Sequence, residues 1–141
     1  LCRKQGYEVE LRSSNKPCSD KVQIFIGDSM GELAAFYAAS DVAFVGGSLV
    51  AIGGHNLLEP AALGIPAITG PYIFNFSEIT ELLLKASAIK KIENDNELAQ
   101  IVVEWLSDSA KRAFAGEQGR KVIEQNRGAV LAHIELLRGL V

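Results

Sequence analysis

The feature that most constrains the fold is a regular alternation of short apolar segments with amphipathic helical ones. Extended segments are predicted at 7–11, 22–26, 42–45, 66–69 and 88–92, and helices at 32–39, 57–63, 76–86, 97–106, 109–125 and 129–140. Consecutive parallel strands need a crossover connection, which is usually a helix. The alternation therefore predicts an α/β fold, with a mostly parallel, Rossmann-like sheet and helices on both of its faces.

The length of the chain suits one domain, predicted over residues 1–141. The first residue is Leu1, and residues 1–5 are typical of the end of a helix. A Rossmann-like half also requires a first strand and helix before this point. We therefore expect the chain to be a fragment of a longer protein, without that strand and helix.

The charge distribution argues against nucleic-acid binding. The formal net charge is -3, and no Lys or Arg occurs between Lys21 and Lys85. Binding to a phosphate backbone requires clustered Lys and Arg side chains. The chain also has no apolar run long enough for a transmembrane helix. Cys2 and Cys18 form no CxxC pair, and we interpret them as free thiols.

One glycine-rich segment joins the predicted strand at 42–45 to the predicted helix at 57–63. It contains Gly46, Gly47, Ser48, Gly53, Gly54, His55 and Asn56. Glycine lets the backbone take positive φ and approach a ligand closely, and a helix N-terminus presents free N–H groups to a phosphate. Segments 27–32 and 70–75 also run from strand to helix. The carboxyl ends of parallel strands share one edge of a sheet, so these three loops together predict a nucleotide or phosphosugar site.

A Ser/Asn-x-x-Glu pattern occurs four times, at 29–32, 56–59, 75–78 and 94–97. Each copy fits a capping box, in which both side chains satisfy backbone N–H groups at a helix start. Glu59 differs from the others because the glycine-rich segment precedes it, so its carboxylate is either a cap or an acceptor for ribose hydroxyls. His55 lies four residues before Glu59, but no third ligand lies nearby in sequence. We therefore expect no metal site, and interpret His55 as a neutral hydrogen-bond donor.

Taken in order, these motifs resemble those of the Kdo (3-deoxy-D-manno-octulosonic acid) transferases. The resemblance covers residue 27 to the C-terminus and rests on Gly27-Asp28-Ser29-Met30-Gly31-Glu32-Leu33, Asp41 through Val50, Gly53 through Glu59, and Gly70-Pro71 through Asn75-Phe76. It implies the GT-B arrangement of two Rossmann-like halves, with this chain as the C-terminal half. That half binds the nucleotide-sugar donor, CMP-Kdo.

The resemblance also implies the site residues. The CMP contacts would be Met30, Gly31, Glu32, Asn56, Leu57, Leu58 and Glu59, with Gly47, Ser48, Gly54 and His55 as further candidates. Many relatives have Asn-Pro-Leu-Glu where this chain has Asn56-Leu57-Leu58-Glu59, so we expect a looser first turn here. The family's donor-site Pro-Arg pair would lie upstream of Leu1. No catalytic residue is expected in this chain.

For the whole enzyme, the resemblance implies an inverting glycosyltransferase that moves Kdo from CMP-Kdo to a lipid A precursor during lipopolysaccharide core biosynthesis. It implies no metal and no other cofactor. The acceptor site, the catalytic base and the membrane anchor would belong to the N-terminal half. The C-terminal half, to which this chain corresponds, would be soluble in the cytoplasm, at the cytoplasmic face of the bacterial inner membrane. The isolated chain is expected to be inactive.

Two alternatives remain open from the sequence. The first is a GT-B domain of a UDP-sugar transferase or epimerase, although a diphosphate would need cations that residues 22–84 do not provide. The second is a noncatalytic nucleotide-binding module.

Overall fold

A computed structural model describes the backbone of residues 1–138 and the side chains of residues 1–127, and it shows an α/β fold with parallel strands. The strands are β1 (Val9–Leu11), β2 (Ile24–Ile26), β3 (Ala43–Phe44), β4 (Ala67–Thr69) and β5 (Ile89–Lys91). The helices are α1 (Leu33–Ala38), α2 (Leu58–Ala62), α3 (Ser77–Lys85), α4 (Asp95–Ser107) and α5 (Ser109–Arg138). Two short 3₁₀ turns span Cys2–Gln5 and Arg12–Ser14.

The chain divides into two compact units, 1–36 and 37–141. In the first unit, β1 and β2 form a parallel pair, with Val9 opposite Ile24. Of residues 1–36, all of which the structure describes, none is fully buried. The Phe25 and Phe36 rings make an edge-to-face contact at 6.2 Å between centroids. This unit therefore depends on aromatic contacts and polar side-chain bonds rather than on a closed apolar core.

The second unit contains a three-stranded parallel sheet in the order β3-β4-β5. All three residues of the central strand β4 are buried, as expected of a parallel strand covered on both faces. One apolar cluster includes Leu57, Ala61 and Leu83. A second cluster joins Ile68 and Ile92 to the buried Trp105 of α4. The predicted alternation of strands and helices is thus confirmed, but the strands form two sheets, so the loop at 27–32 follows a strand of a different sheet from the other two loops.

The capping pattern has different outcomes at different helices. At α4, Asn94 Oδ1 accepts the Glu97 N–H at 3.0 Å, and Glu97 Oε2 accepts the Glu93 N–H at 2.9 Å, so the predicted cap is confirmed. At α3 the prediction is wrong, because the N-cap is Phe76, which makes no side-chain cap bond. The Asn75 side chain instead donates a hydrogen bond to the Ile52 carbonyl.

The C-terminal region differs from the two predicted helices. A single helix, α5, runs from Ser109 to Arg138. The segment between the two predicted helices, 126–128, is also helical, and Asn126 Nδ2 donates to the Val122 carbonyl one turn earlier at 2.7 Å. The end of the second predicted helix, beyond residue 138, lies outside the described residues. Within the described part of the chain, no helix combines the length and the hydropathy needed to cross a membrane.

Candidate functional site

The glycine-rich segment forms a tight, internally bonded turn in the second unit. Gly47, Gly53 and Gly54 have φ values of 71°, 106° and 75°, where glycine is strongly favoured. The Gly54 N–H donates to the Gly47 carbonyl at 2.9 Å, which joins the two ends of the segment. A Cβ placed on Gly47 would lie 3.0 Å from His55 Cδ2, so the imidazole ring lies directly against this glycine.

Ser48 ties this turn to the loop that follows β4. Its side chain is fully buried, and its hydroxyl donates to the Val45 carbonyl at 2.7 Å while accepting the Gly70 N–H at 2.8 Å. The Ser48 carbonyl accepts the Tyr72 N–H at 3.0 Å. The buried Ser48 hydroxyl thus makes both of these hydrogen bonds within the protein and joins the two loops.

Asn75 connects the same two loops from the other side. Its side-chain amide donates to the Ile52 carbonyl at 3.3 Å, and its backbone N–H donates to the Gly53 carbonyl at 3.2 Å. The loops after β3 and β4 therefore form one hydrogen-bonded assembly at the carboxyl ends of neighbouring strands, which is where ligands bind in open α/β sheets.

The start of α2 follows this assembly. Asn56 Oδ1 accepts the Leu58 N–H at 3.0 Å, and Asn56 Nδ2 donates to Glu59 Oε1 at 3.1 Å. The predicted capping box is not formed, because the N-cap is Leu57; Asn56 instead makes a local turn at the helix start and orients the exposed Glu59 carboxylate. Leu57 is only 1% exposed, so the whole residue belongs to the core. The helix has five residues, so its dipole can contribute little to phosphate binding.

The side chain of Tyr37 also lies close enough to Glu59 to be affected by its charge. Tyr37 packs half-buried against the core cluster that contains Leu57. Burial raises the pKa of the Tyr37 hydroxyl, and the negative charge of Glu59 raises it further. Tyr37 is therefore a neutral phenol at physiological pH, and the negative charge here belongs to Glu59.

The remaining predicted contacts lie in the first unit, in the loop between β2 and α1. The Met30 side chain is 97% exposed, and Gly31 has a φ of 82°. Glu32 Oε2 accepts the Ser29 hydroxyl, and Glu32 Oε1 accepts both Arg12 Nη2 at 2.8 Å and Nε at 3.2 Å. The Ser29 hydrogen bond and the Arg12 guanidinium lower the pKa of Glu32. Arg12 was missed from the sequence because it lies twenty residues upstream of Glu32.

We predict that Arg12→Ala raises the pKa of Glu32 toward the usual value of about 4.3 for a glutamate. The substitution removes two hydrogen bonds and a positive charge from the carboxylate, while the Ser29 hydroxyl stays. An NMR titration of the Glu32 side-chain carboxyl would measure the change. Arg3→Ala is the control, since Arg3 donates to the Val9 carbonyl at 3.2 Å and makes no bond to Glu32. An unchanged pKa in Arg12→Ala would contradict the contact.

The metal prediction concerns His55 and Glu59. Among the described residues, no group of three or more His, Cys, Asp or Glu side chains is arranged to hold a metal ion. Instead, the His55 ring packs against Gly47 and the Glu59 carboxylate accepts from Asn56.

The comparisons with known proteins agree with this α/β arrangement. Residues 4–122 match the family model of the group 1 glycosyl transferases. The chain belongs to this family, since the match covers most of its length.

Within that family the chain is similar to 3-deoxy-D-manno-octulosonic acid transferases, which confirms the resemblance predicted from the motifs. It is 40% identical over 139 residues to the enzyme of Haemophilus influenzae, covering 98% of this chain and 33% of that protein. It is 38% identical over 118 residues to the enzyme of Aquifex aeolicus, covering 83% of this chain and 32% of that protein. The chain therefore spans about a third of the length of the curated relatives it matches.

A solved structure provides a direct comparison of the fold. The C-terminal CMP-Kdo binding domain of WaaA from Acinetobacter baumannii superimposes with a TM-score of 0.82 at 33% sequence identity. The match covers 86% of this chain and 64% of that domain. The predicted C-terminal, GT-B type of α/β fold is confirmed by this likeness.

Proposed function

We propose that the chain is the donor-binding part of a glycosyltransferase that moves Kdo from CMP-Kdo to an acceptor hydroxyl. The observation that carries the proposal is the likeness to a solved domain that is described as binding CMP-Kdo. The hydrogen-bonded turn that leads into Asn56 and Glu59 supports it, because it lies at the strand ends where such a ligand would bind.

Within the second unit, we propose that Asn56, Leu57, Leu58 and Glu59 contact CMP. Glu59 would accept hydrogen bonds from the ribose hydroxyls, because its carboxylate is exposed and oriented by Asn56. Leu57 would contribute least of the four, since the whole residue is buried in the core. Gly47, Gly54 and His55 would form the adjoining wall of the CMP site. The buried Ser48 would hold this wall in place through its hydrogen bonds to Val45 and Gly70.

In the first unit, we propose Met30, Gly31 and Glu32 as CMP contacts. The extended Met30 side chain offers an exposed apolar surface to a base or ribose, and Gly31 leaves the backbone accessible. The Arg12 guanidinium, paired with Glu32, would offset the negative charge of that carboxylate beside the bound nucleotide. Arg12 lies outside residues 22–84, which contain no Lys or Arg, so a cation at this loop could not be expected from the sequence.

For the whole protein, we propose a two-domain enzyme in which this chain, 1–141, is the C-terminal half. The acceptor would be a lipid A precursor in lipopolysaccharide core biosynthesis, bound by an N-terminal half at the cytoplasmic face of the inner membrane.

Transfer would form a bond from the acceptor oxygen to the anomeric carbon of Kdo and break the bond to CMP. A general base must take the acceptor proton, and we assign that base to the N-terminal half. The isolated chain is therefore predicted to bind CMP weakly and transfer nothing.

We predict that Glu59→Gln weakens CMP binding about tenfold, the loss expected when a charge-assisted hydrogen bond to the ligand becomes a neutral one. Titration of the isotopically labelled chain with CMP, followed by amide chemical shifts, measures the affinity. Glu78→Gln is the matched control, because Glu78 has the same spacing after an asparagine and also lies in the first turn of a helix.

UDP provides the second arm of this experiment. CMP is expected to bind more tightly than UDP, since the diphosphate would need more positive charge than the proposed contact residues carry. Equal or tighter binding of UDP would favour a UDP-sugar enzyme. If CMP shifts none of the amides in segments 27–32, 46–59 and 70–76, the proposed function is wrong.

A further inference from the structure

We propose that Asn75 is a positioning residue for the donor site. It fixes the turn from Gly47 to Gly54, called the glycine turn below, which precedes the proposed CMP contacts. The role rests on the function proposed above. It concerns a residue whose sequence pattern had predicted a helix cap, but whose side chain is bonded across to another loop.

The contacts of Asn75 point to this role. Its side-chain amide donates to the Ile52 carbonyl at 3.3 Å, and its backbone N–H donates to the Gly53 carbonyl at 3.2 Å. Two consecutive carbonyls of the glycine turn are thus held by one residue. The turn also passes so close that a Cβ on Gly53 would collide with the Asn75 amide and the Phe74 ring.

The glycine turn needs such support because of its backbone. Gly53 and Gly54 both have positive φ, and glycine loses more conformational freedom on ordering than any other residue. A ligand that had to order this turn would lose affinity to that cost, whereas a turn already held in place avoids it. Because His55 to Glu59 follow directly, the position of Gly53 and Gly54 determines where these groups face a ligand.

The side-chain amide is specifically required at position 75. Aspartate has the same shape but lacks the N–H donor, and its oxygen would face the Ile52 carbonyl. Alanine keeps the backbone bond to Gly53 and removes only the side-chain bond. The two variants therefore test the donor itself, with Asp expected to be at least as disruptive as Ala.

The experiment measures the loop first without ligand and then with CMP. In Asn75→Ala and Asn75→Asp, we expect faster amide hydrogen exchange at Gly54 and shifted amide signals at residues 52–56. CMP affinity should fall about three- to tenfold, in line with the loss of one ordering hydrogen bond. Asn94→Ala is the matched control, since Asn94 belongs to the same sequence pattern but caps α4. It should lower the melting temperature without changing the turn or the affinity.

Each result decides the inference. Unchanged exchange and shifts at residues 52–56 would overturn it, because the side-chain bond would then not hold the turn. A CMP affinity that falls equally in Asn94→Ala would also overturn it, since the effect would reflect general stability. If the unsubstituted chain binds no CMP, the proposed function fails and the donor-site role fails with it, while the exchange data still show whether Asn75 orders the turn.

Discussion

Gly116→Ala is expected to lower the free energy of unfolding by about 3 kcal/mol, the upper range for forcing extra volume into a packed interior. Gly116 lies on α5, where the helix crosses the end of α2. A Cβ at this position would fall on the Gly64 carbonyl, 2.9 Å from its carbon atom. The obstruction is backbone, so it cannot be relieved by rotating a side chain.

This expected loss of stability is opposite in sign to the usual effect of replacing glycine with alanine in a helix. In an exposed helix interior, replacing glycine with alanine stabilises by about 1 kcal/mol. Here the substitution would push α2 away from α5, and it would also disturb the bond from Arg120 Nη2 to the Leu63 carbonyl at 2.9 Å. Gly119 is a milder case on the same helix, since its Cβ would lie 3.3 Å from Ala61 Cα.

Denaturant unfolding of the purified chain would measure this change, with Gly46→Ala as the control. Gly46 has no atom within 4 Å of an added Cβ, and its φ is not positive. The control should therefore leave stability nearly unchanged. A Gly116→Ala variant as stable as the control would show that α2 and α5 do not approach each other as described.

Periodicity predicted most elements because it depends on local spacing. The strands at 66–69 and 88–92 were placed within a residue or two of β4 and β5, and the helix at 97–106 lies within α4. The predicted core side chains of α4, from Leu98 to Trp105, do pack together. These features follow from how often an apolar residue recurs along a helix or strand, which the sequence shows directly.

Features that depend on contacts between distant residues could not be predicted in this way. Spacing made Asn75 and Asn94 equivalent, but only Asn94 caps a helix, because the glycine turn supplies Asn75 with other partners. Arg12 reaches Glu32 only because β1 and β2 pair side by side. The candidate site was therefore predicted as a set of loops, but not as the hydrogen-bonded assembly that shapes them.

Gly70→Ala is the substitution expected to damage that assembly most. Gly70 follows β4, and its N–H donates to the buried Ser48 hydroxyl at 2.8 Å. An added Cβ would lie 2.5 Å from the Ser48 carbonyl carbon and 2.8 Å from the Leu49 nitrogen. We expect a loss of about 3 kcal/mol of folding free energy, because backbone must move away from backbone in a fully packed region.

The loss should be accompanied by a local change that a general loss of stability would not produce. Moving the Ser48 backbone shifts the carbonyl that accepts the Tyr72 N–H, so amide signals across residues 47–54 and 70–75 should move together. Ser48→Ala is the graded comparison. It keeps the close approach but leaves the buried Gly70 N–H without its acceptor, at a cost of about 1–3 kcal/mol. Gly70→Ala should therefore be the more damaging of the two, and the reverse order would show that the hydroxyl, not the close backbone approach, dominates the packing of these loops.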